Sequence, residues 1–373
     1  MTATIAKRKV KKMILLILLS ILLILIAAAC IYCYRCTHYW QSDLRKTMDA
    51  GFEEKQVTLP DGSIINYAEG PDNGDALLLI HGQTGTWDDY SSVLPELSKN
   101  WHVFAVDCYG HGESSHDESK YYLKENGDDL IWFVDSVIGE KTVVSGHSSG
   151  GLLASYVAAY GGDYIVGAVL EDPPVFSTEP DYFEQSFAYQ DTYKNMHDYI
   201  TGEQTECWEA YYMRHCLWGQ LYMASSMDGL ANYAQQYHEK NPDEPVQYFF
   251  MPESINFTFL HVKEYDFLFG EHFYDYTWHS GISHETLMSD IKVPTIFIHA
   301  KDSYSETGIL QAASSDEQAR QAVSLIADCE LIELTSNHDI RWSTSSCWLW
   351  RLISSKQRCI PFNYRKCRRF KLW

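Results

Sequence analysis

Thr142-Val143-Val144-Ser145-Gly146-His147-Ser148-Ser149-Gly150-Gly151-Leu152-Leu153-Ala154-Ser155 decides the reading of this chain. The apolar, β-branched opening is a short buried strand, and the small-residue close is a helix. Between them only a sharp turn fits, with Ser148 at its apex. A turn this tight needs an unusual backbone conformation at the apical residue, and the flanking glycines let strand and helix approach closely. Such a turn lifts the Ser148 hydroxyl clear of the sheet, within reach of a base.

Outward from this point, strand-like runs alternate with helical spacing. Gln56–Leu59 and Ile64–Tyr67 flank Pro60-Asp61-Gly62 and read as a hairpin. Ala76–Ile80 is apolar throughout, as in a strand covered on both faces. His102–Val106, Thr142–Ser145, Ile165–Leu170, Thr295–His299 and Glu330–Leu334 complete the strand set. Helical spacing occupies about 89–99, 119–138, 149–160 and 315–327. This alternation predicts an α/β fold with a mostly parallel sheet flanked by helices. Residues 174–289 lack strand runs and are rich in aromatic residues and methionine. They read as an inserted, mainly helical cap over the carboxyl ends of the strands, where open α/β sheets bind ligands.

Charge is sharply segregated along the 373 residues, whose formal net is −21. Residues 1–35 hold six basic and no acidic residues, and 339–373 hold nine basic and one acidic, leaving −35 on residues 36–338. A body that acidic repels phosphate backbones, which excludes a nucleic-acid role. Lys7, Arg8, Lys9, Lys11 and Lys12 precede an apolar run from Met13 to Tyr34. Twenty-two residues at helical rise span about 33 Å, against roughly 30 Å of hydrocarbon. The division is therefore a basic cytoplasmic segment (1–12), a single transmembrane anchor (13–34), a core (54–173 and 290–355), the cap (174–289) and a basic tail (356–373). The basic flank keeps 1–12 cytoplasmic and puts the body on the extracytoplasmic face of the cell membrane. A cleaved signal peptide begins the same way, and Ala27-Ala28-Ala29-Cys30 is similar to a lipoprotein processing site. Among the ten cysteines, Cys207 and Cys216 are candidates for pairing, whereas Cys108 and Cys329 belong to predicted strands.

A nucleophilic serine needs a base, and the base needs an acid to orient it. Asp302 follows the Thr295–His299 strand and His338 follows the Glu330–Leu334 strand, so all three residues leave the same edge of a parallel sheet. Glu306 and Asp339 are rival acids. The strand Ala76–Ile80 runs into His81-Gly82-Gln83-Thr84-Gly85. The backbone amides of Gln83 and Ser149 are the two candidate oxyanion donors. His81 and His111 read as structural members of their loops, and His147 as a residue shaping the elbow. No H-E-x-x-H or comparable spacing appears, so neither metal nor cofactor is expected.

With these motifs and Asp107-Cys108-Tyr109-Gly110-His111-Gly112-Glu113-Ser114, the chain resembles the cap-bearing, esterase- and lipase-like branch of the α/β-hydrolase superfamily. The resemblance covers about residues 54–340, with the cap itself unmatched. It implies a cofactor-independent serine hydrolase, with Ser148, His338 and Asp302 as triad, acting on a small-molecule ester or other acyl substrate. An aminopeptidase or amidase on the same triad, or a ligand sensor on the same scaffold, are the alternatives.

Overall fold

The computed structural model describes residues 2–335 and His338; the helix-like stretch read at 347–353 and the basic segment 356–373 lie outside the described residues. Helix α1 runs unbroken over Thr2–Asp49. The helix thus continues past the end of the apolar run at residue 34, and the cause is local. The chain contains no glycine or proline before Gly51, so nothing stops the helix at the end of the apolar run. Gly51, at φ +96°, then ends it, its N–H donating to the Met48 carbonyl.

Eight strands follow: β1 (Glu53–Thr58), β2 (Ile64–Glu69), β3 (Asp75–Ile80), β4 (Trp101–Val106), β5 (Thr142–His147), β6 (Ile165–Glu171), β7 (Thr295–Ala300) and β8 (Cys329–Leu334). They form one sheet in the order β1-β2-β4-β3-β5-β6-β7-β8. The β1–β2 hairpin is antiparallel and joins β4 antiparallel; every other pairing is parallel. The sheet separates two apolar cores, and β3 shows how. Leu78 and Ile80 enter one core with Val144, Leu170 and Phe297. Leu77 and Leu79 enter the other with Trp87, Tyr90, Val103 and Ile298. Period-two alternation on a strand buried on both faces requires apolar residues at every position. Each such side chain contributes about 1.5–3 kcal/mol.

The short helix α2 (Leu94–Leu97) packs in the second core. Helices α3 (Leu123–Phe133) and α4 (Ser149–Tyr160) pack in the first. Between β6 and β7 lies the helical insertion: α5 (Lys194–Thr201), α6 (Trp208–His215), α7 (Leu217–Met223), α8 (Met227–Lys240), α9 (Glu253–Phe257), α10 (Phe267–Tyr274) and α11 (His284–Asp290). Helix α12 (Asp316–Leu325) connects β7 to β8. The insertion is tied to the distal part of α1, where the Asn256 side-chain amide donates to the Cys36 carbonyl at 2.8 Å. Cys207 and Cys216 are free thiols at opposite ends of α6. Nine residues of helical rise hold their Cα atoms roughly 13 Å apart, about twice the span a disulfide bridges.

Gly127 on α3 shows how tightly the layers are packed. A Cβ there would lie 2.2 Å from the Tyr156 ring on α4, and Tyr156 is itself buried and held by Asp128 through its hydroxyl. Gly127→Val should therefore lower stability by about 1–3 kcal/mol, read as a reduced urea midpoint at unchanged slope.

Candidate active site

The site is assembled at the carboxyl ends of β5, β6 and β8. Ser148 sits between β5 and α4 at φ +56°, ψ −124°, a conformation that L residues adopt only under constraint. The surroundings supply that constraint. The Ser148 N–H donates to the Glu171 carbonyl at the end of β6 (2.9 Å), and the Ser148 carbonyl accepts from Gly151 (2.8 Å). The glycines are obligatory for steric reasons. A Cβ on Gly146 would meet the Gly150 carbonyl oxygen at 2.0 Å, and one on Gly150 would meet the His81 carbonyl oxygen at 2.2 Å.

The structure brings Ser148 and His338 together, with His338 Nε2 2.9 Å from Ser148 Oγ. Asp302, expected to orient His338, is elsewhere. His338 Nδ1 lies 2.7 Å from Asp172 Oδ2 instead. Asp302 faces the start of α12: its carboxylate accepts from the Asp316 N–H at 2.9 Å, and its own N–H donates to Asp316 Oδ1 at 3.1 Å. It thus serves the unsatisfied amides of a helix N-terminus, beside the Ser315–Gln318 capping box. Glu306 is exposed, and Asp339 lies outside the described residues.

Asp172 was missed although it stands immediately after β6, between Ser148 and His338 in chain order. β6 is the direct neighbour of β5, so a residue one step past its end lies level with the elbow. Its placement is strained and over-determined. Asp172 has φ +48°, its N–H donates to the Ile298 carbonyl at 2.8 Å, and its Oδ1 accepts from the Ala300 N–H at 3.1 Å. Burial pushes its carboxyl pKa up, but His299, His338 and the Ala300 N–H together outweigh burial and hold it below the ordinary value. His299, fully buried, lies 3.3 Å from Asp172 Oδ1 and hydrogen-bonds Asp316 through Nε2 at 2.9 Å. A depressed folded-state pKa means that the stabilisation from Asp172 is complete above its unfolded value of about 3.9. It is lost as pH falls through the lower folded value.

The loop His81–Gly85 lies against the elbow. A Cβ on Gly82 would lie 3.0 Å from Ser148 Cβ, so only glycine lets this backbone come so near. His81 holds the loop through both ring nitrogens: Nε2 accepts from the Cys108 N–H at 2.9 Å, and Nδ1 donates to the Gly82 carbonyl at 2.7 Å. Thr84 adopts φ +60°. The Gln83 side chain reaches across to the insertion, donating to the Tyr265 hydroxyl at 2.7 Å. Ser149 is the first residue of α4, so its N–H has no intrahelical acceptor. His147 donates from Nε2 to the His338 carbonyl at 3.0 Å and steadies the loop that carries His338. His111 packs edge-on to Phe269 of the insertion, and burial lowers its pKa to about 3.

Asp107 is spent on structure, accepting from the Trp87 N–H at 2.6 Å and the Asn66 amide at 2.8 Å. A cavity of about 600 Å³ opens over Ser148, bounded by Gln83, Phe187, Tyr193, Trp218, Lys301 and Gln311.

A parallel sheet with a strained serine between β5 and α4, a histidine on it and a helical insertion above defines the α/β-hydrolase class. Comparison with known proteins agrees. Residues 77–282, more than half of the chain, match the alpha/beta hydrolase family, and the chain belongs to it. A serine hydrolase-like protein of Danio rerio is 28% identical over 128 residues, covering 34% of this chain and 39% of that protein. The Homo sapiens serine hydrolase-like protein is 27% identical over 139 residues, 37% of this chain and 68% of that one. The chain thus spans well under half the length of the zebrafish relative. Among solved structures, a bacterial membrane phospholipase A superposes with a TM-score of 0.57 over 92% of this chain and 98% of that one. At 18% identity that likeness concerns the fold.

Two substitutions separate the rival acids. Asp172→Asn should lower kcat by about 10⁴ by disturbing the His338 tautomer, whereas Asp302→Asn should leave it within the same order of magnitude. The stability difference between the wild type and Asp172→Asn should be constant above about pH 4 and shrink as pH falls below it, as followed by urea unfolding at each pH with circular dichroism.

Proposed function

We propose that this hydrolase is a membrane-anchored serine esterase working through an acyl-enzyme. The observation that carries the reading is the hydrogen-bonded series Ser148 Oγ, His338, Asp172 at the floor of the cavity. In the first step His338 Nε2 takes the Ser148 proton as Oγ bonds to the acyl carbon. The carbonyl π electrons move to oxygen, and the N–H groups of Gln83 and Ser149 stabilise the resulting oxyanion. Collapse breaks the bond to the leaving alkoxide, which takes the proton from His338. Water then repeats the sequence, its proton going to His338 and finally to Ser148 Oγ as the acid departs. Asp172, kept ionised, orients the imidazole and stabilises the imidazolium formed in each half-reaction.

A carboxylic ester with an apolar portion fits best. Phe187, Tyr193 and Trp218 supply apolar walls, and Asp172, already engaged, is the one carboxylate lining the cavity among the described residues. An aminopeptidase needs a free carboxylate there to hold the substrate amine. The same lining therefore disfavours that reading.

The anchor is α1. Its residues 13–34 are almost wholly exposed and apolar, and an 18-residue window within Lys11–Asp49 has a mean hydropathy of 3.4. Lys7–Lys12 would stay cytoplasmic and the hydrolase body outside.

A fluorophosphonate probe should label the wild-type chain, and Ser148→Ala should abolish labelling. Absence of labelling in folded wild-type protein would overturn the enzyme reading. On a panel of p-nitrophenyl esters and aminoacyl anilides, turnover should be confined to the esters. Protease added to intact cells should degrade the body, and full protection would refute its placement outside.

A further inference from the structure

On the far side of the Gln83 loop, three donor groups converge. Asp88 and Asp89 lie in the 3₁₀ turn Trp87–Tyr90 that follows this loop, and His261 comes from the insertion, between α9 and α10. Asp88 Oδ1 is 3.0 Å from His261 Nε2, and Asp89 Oδ1 is 3.8 Å from it. Donors around a tetrahedral zinc ion, bonded at about 2.0–2.2 Å, stand roughly 3.3–3.5 Å apart. Both distances lie within half an ångström of that range, 3.0 Å below it and 3.8 Å above it. The groups border a cavity of about 10 Å³, lined also by Asp43, Ser91 and Ser92. That is room for one ion or one water, and for no organic ligand.

We propose that Asp88, Asp89 and His261 bind a single divalent transition-metal cation, zinc by the chemistry of the donor set, which clamps the Gln83 loop to the insertion.

Three further observations support the site independently of the acidic pair. First, Glu264 Oε2 lies 3.1 Å from His261 Nδ1. A carboxylate on the far ring nitrogen fixes the tautomer that presents an Nε2 lone pair, as it does for metal-bound histidines generally. Nε2 then faces Asp88 Oδ1 at 3.0 Å, a contact that either a cation between them or a proton on Nε2 makes favourable. Second, the Ser91 hydroxyl borders the cavity, its residue 6% exposed, and has no hydrogen-bond partner among the described residues. A buried orphan hydroxyl costs about 1–3 kcal/mol and is the natural place for a fourth ligand or a metal-bound water. Third, among the described residues no lysine or arginine lines the cavity. Asp89 is 4% exposed, and the nearby Lys46 is engaged with Asp43 at 2.6 Å.

The connection to the active site is direct. A Cβ on Gly85 would lie 2.1 Å from Asp89 Oδ2, so the Asp89 carboxylate rests against the loop that carries Gln83. Thr86 Oγ1 donates to Asp88 Oδ1 at 2.5 Å. A cation here fixes the far end of that loop, while Gln83 and Tyr265 fix the near end. No spacing motif announces the site, because its donors are separated by more than 170 residues and meet only in the folded chain.

The full-length chain in detergent, stripped by chelator and returned to zinc chloride, tests the proposal by mass-spectrometric metal counting and thermal unfolding. One zinc per chain and a raised Tm are expected. His261→Gln and Asp89→Asn should lose the ion, and Glu264→Gln should bind it about 10–100-fold more weakly. Cys207→Ser serves as control, since Cys207, Glu209 and His238 form the other three-donor group among the described residues; it should retain zinc. Wild-type protein that binds no zinc overturns the proposal, with His261 then held as an imidazolium between carboxylates. Retention by both His261→Gln and Asp89→Asn, or loss in Cys207→Ser, overturns it as well. If those variants fail to fold, cobalt(II) bound to the wild type decides. Tetrahedral d–d bands without a thiolate charge-transfer band support the site, and a thiolate band assigns the metal to Cys207.

Discussion

The hydrogen bond from the Ser148 N–H to the Glu171 carbonyl is the constraint on which the site depends. It extends the β5–β6 pairing one residue past the end of β5, into the turn, and so holds Ser148 at a positive φ that the chain alone would relax. The same bond sets the height of the next residue on β6. Asp172 leaves the strand level with the elbow and is turned back by its own bonds to β7. His338, arriving from beyond β8, is then captured between a hydroxyl and a carboxylate whose separation two neighbouring strands have already set.

The second dependence runs through the insertion. The insertion shares an apolar cluster with the core, and a further set of contacts falls beside the site. Tyr265 accepts from Gln83, the Asp266 N–H donates to the Gly110 carbonyl, and the His111 ring is packed among Tyr265 and Phe269. The glycine loops of the core therefore lie against both the Ser148 turn and the insertion. The bond from Asn256 to the Cys36 carbonyl continues the connection into α1.

Much of this was legible before any coordinates. Ala76–Ile80 reads as a doubly covered strand because every residue is apolar, and Pro60-Asp61-Gly62 reads as a hairpin because of its turn chemistry. Both depend on residues adjacent in sequence. The helix at 35–49 was illegible for a different reason: a change from apolar to polar composition marks a change of surroundings, not the end of a helix. Asp302 had the right residue type at the right end of a strand, and it was nonetheless drawn to the amides of α12. Whether a carboxylate serves a helix or an imidazole depends on neighbours that local pattern does not contain.

The sequence by itself determined the α/β architecture, the elbow at Ser148, the glycines that permit it and the choice of His338 as its neighbour. Each of these follows from short-range sterics and from hydrophobic periodicity. Only the tertiary structure decided that Asp172 holds His338, that Asp172 is the one carboxylate on the cavity wall among the described residues, and that Asp88 and Asp89 meet His261. Those are contacts between segments distant in the chain. Their partners are selected by strand order and by how the insertion packs on the core, and neither is written in any local stretch of residues.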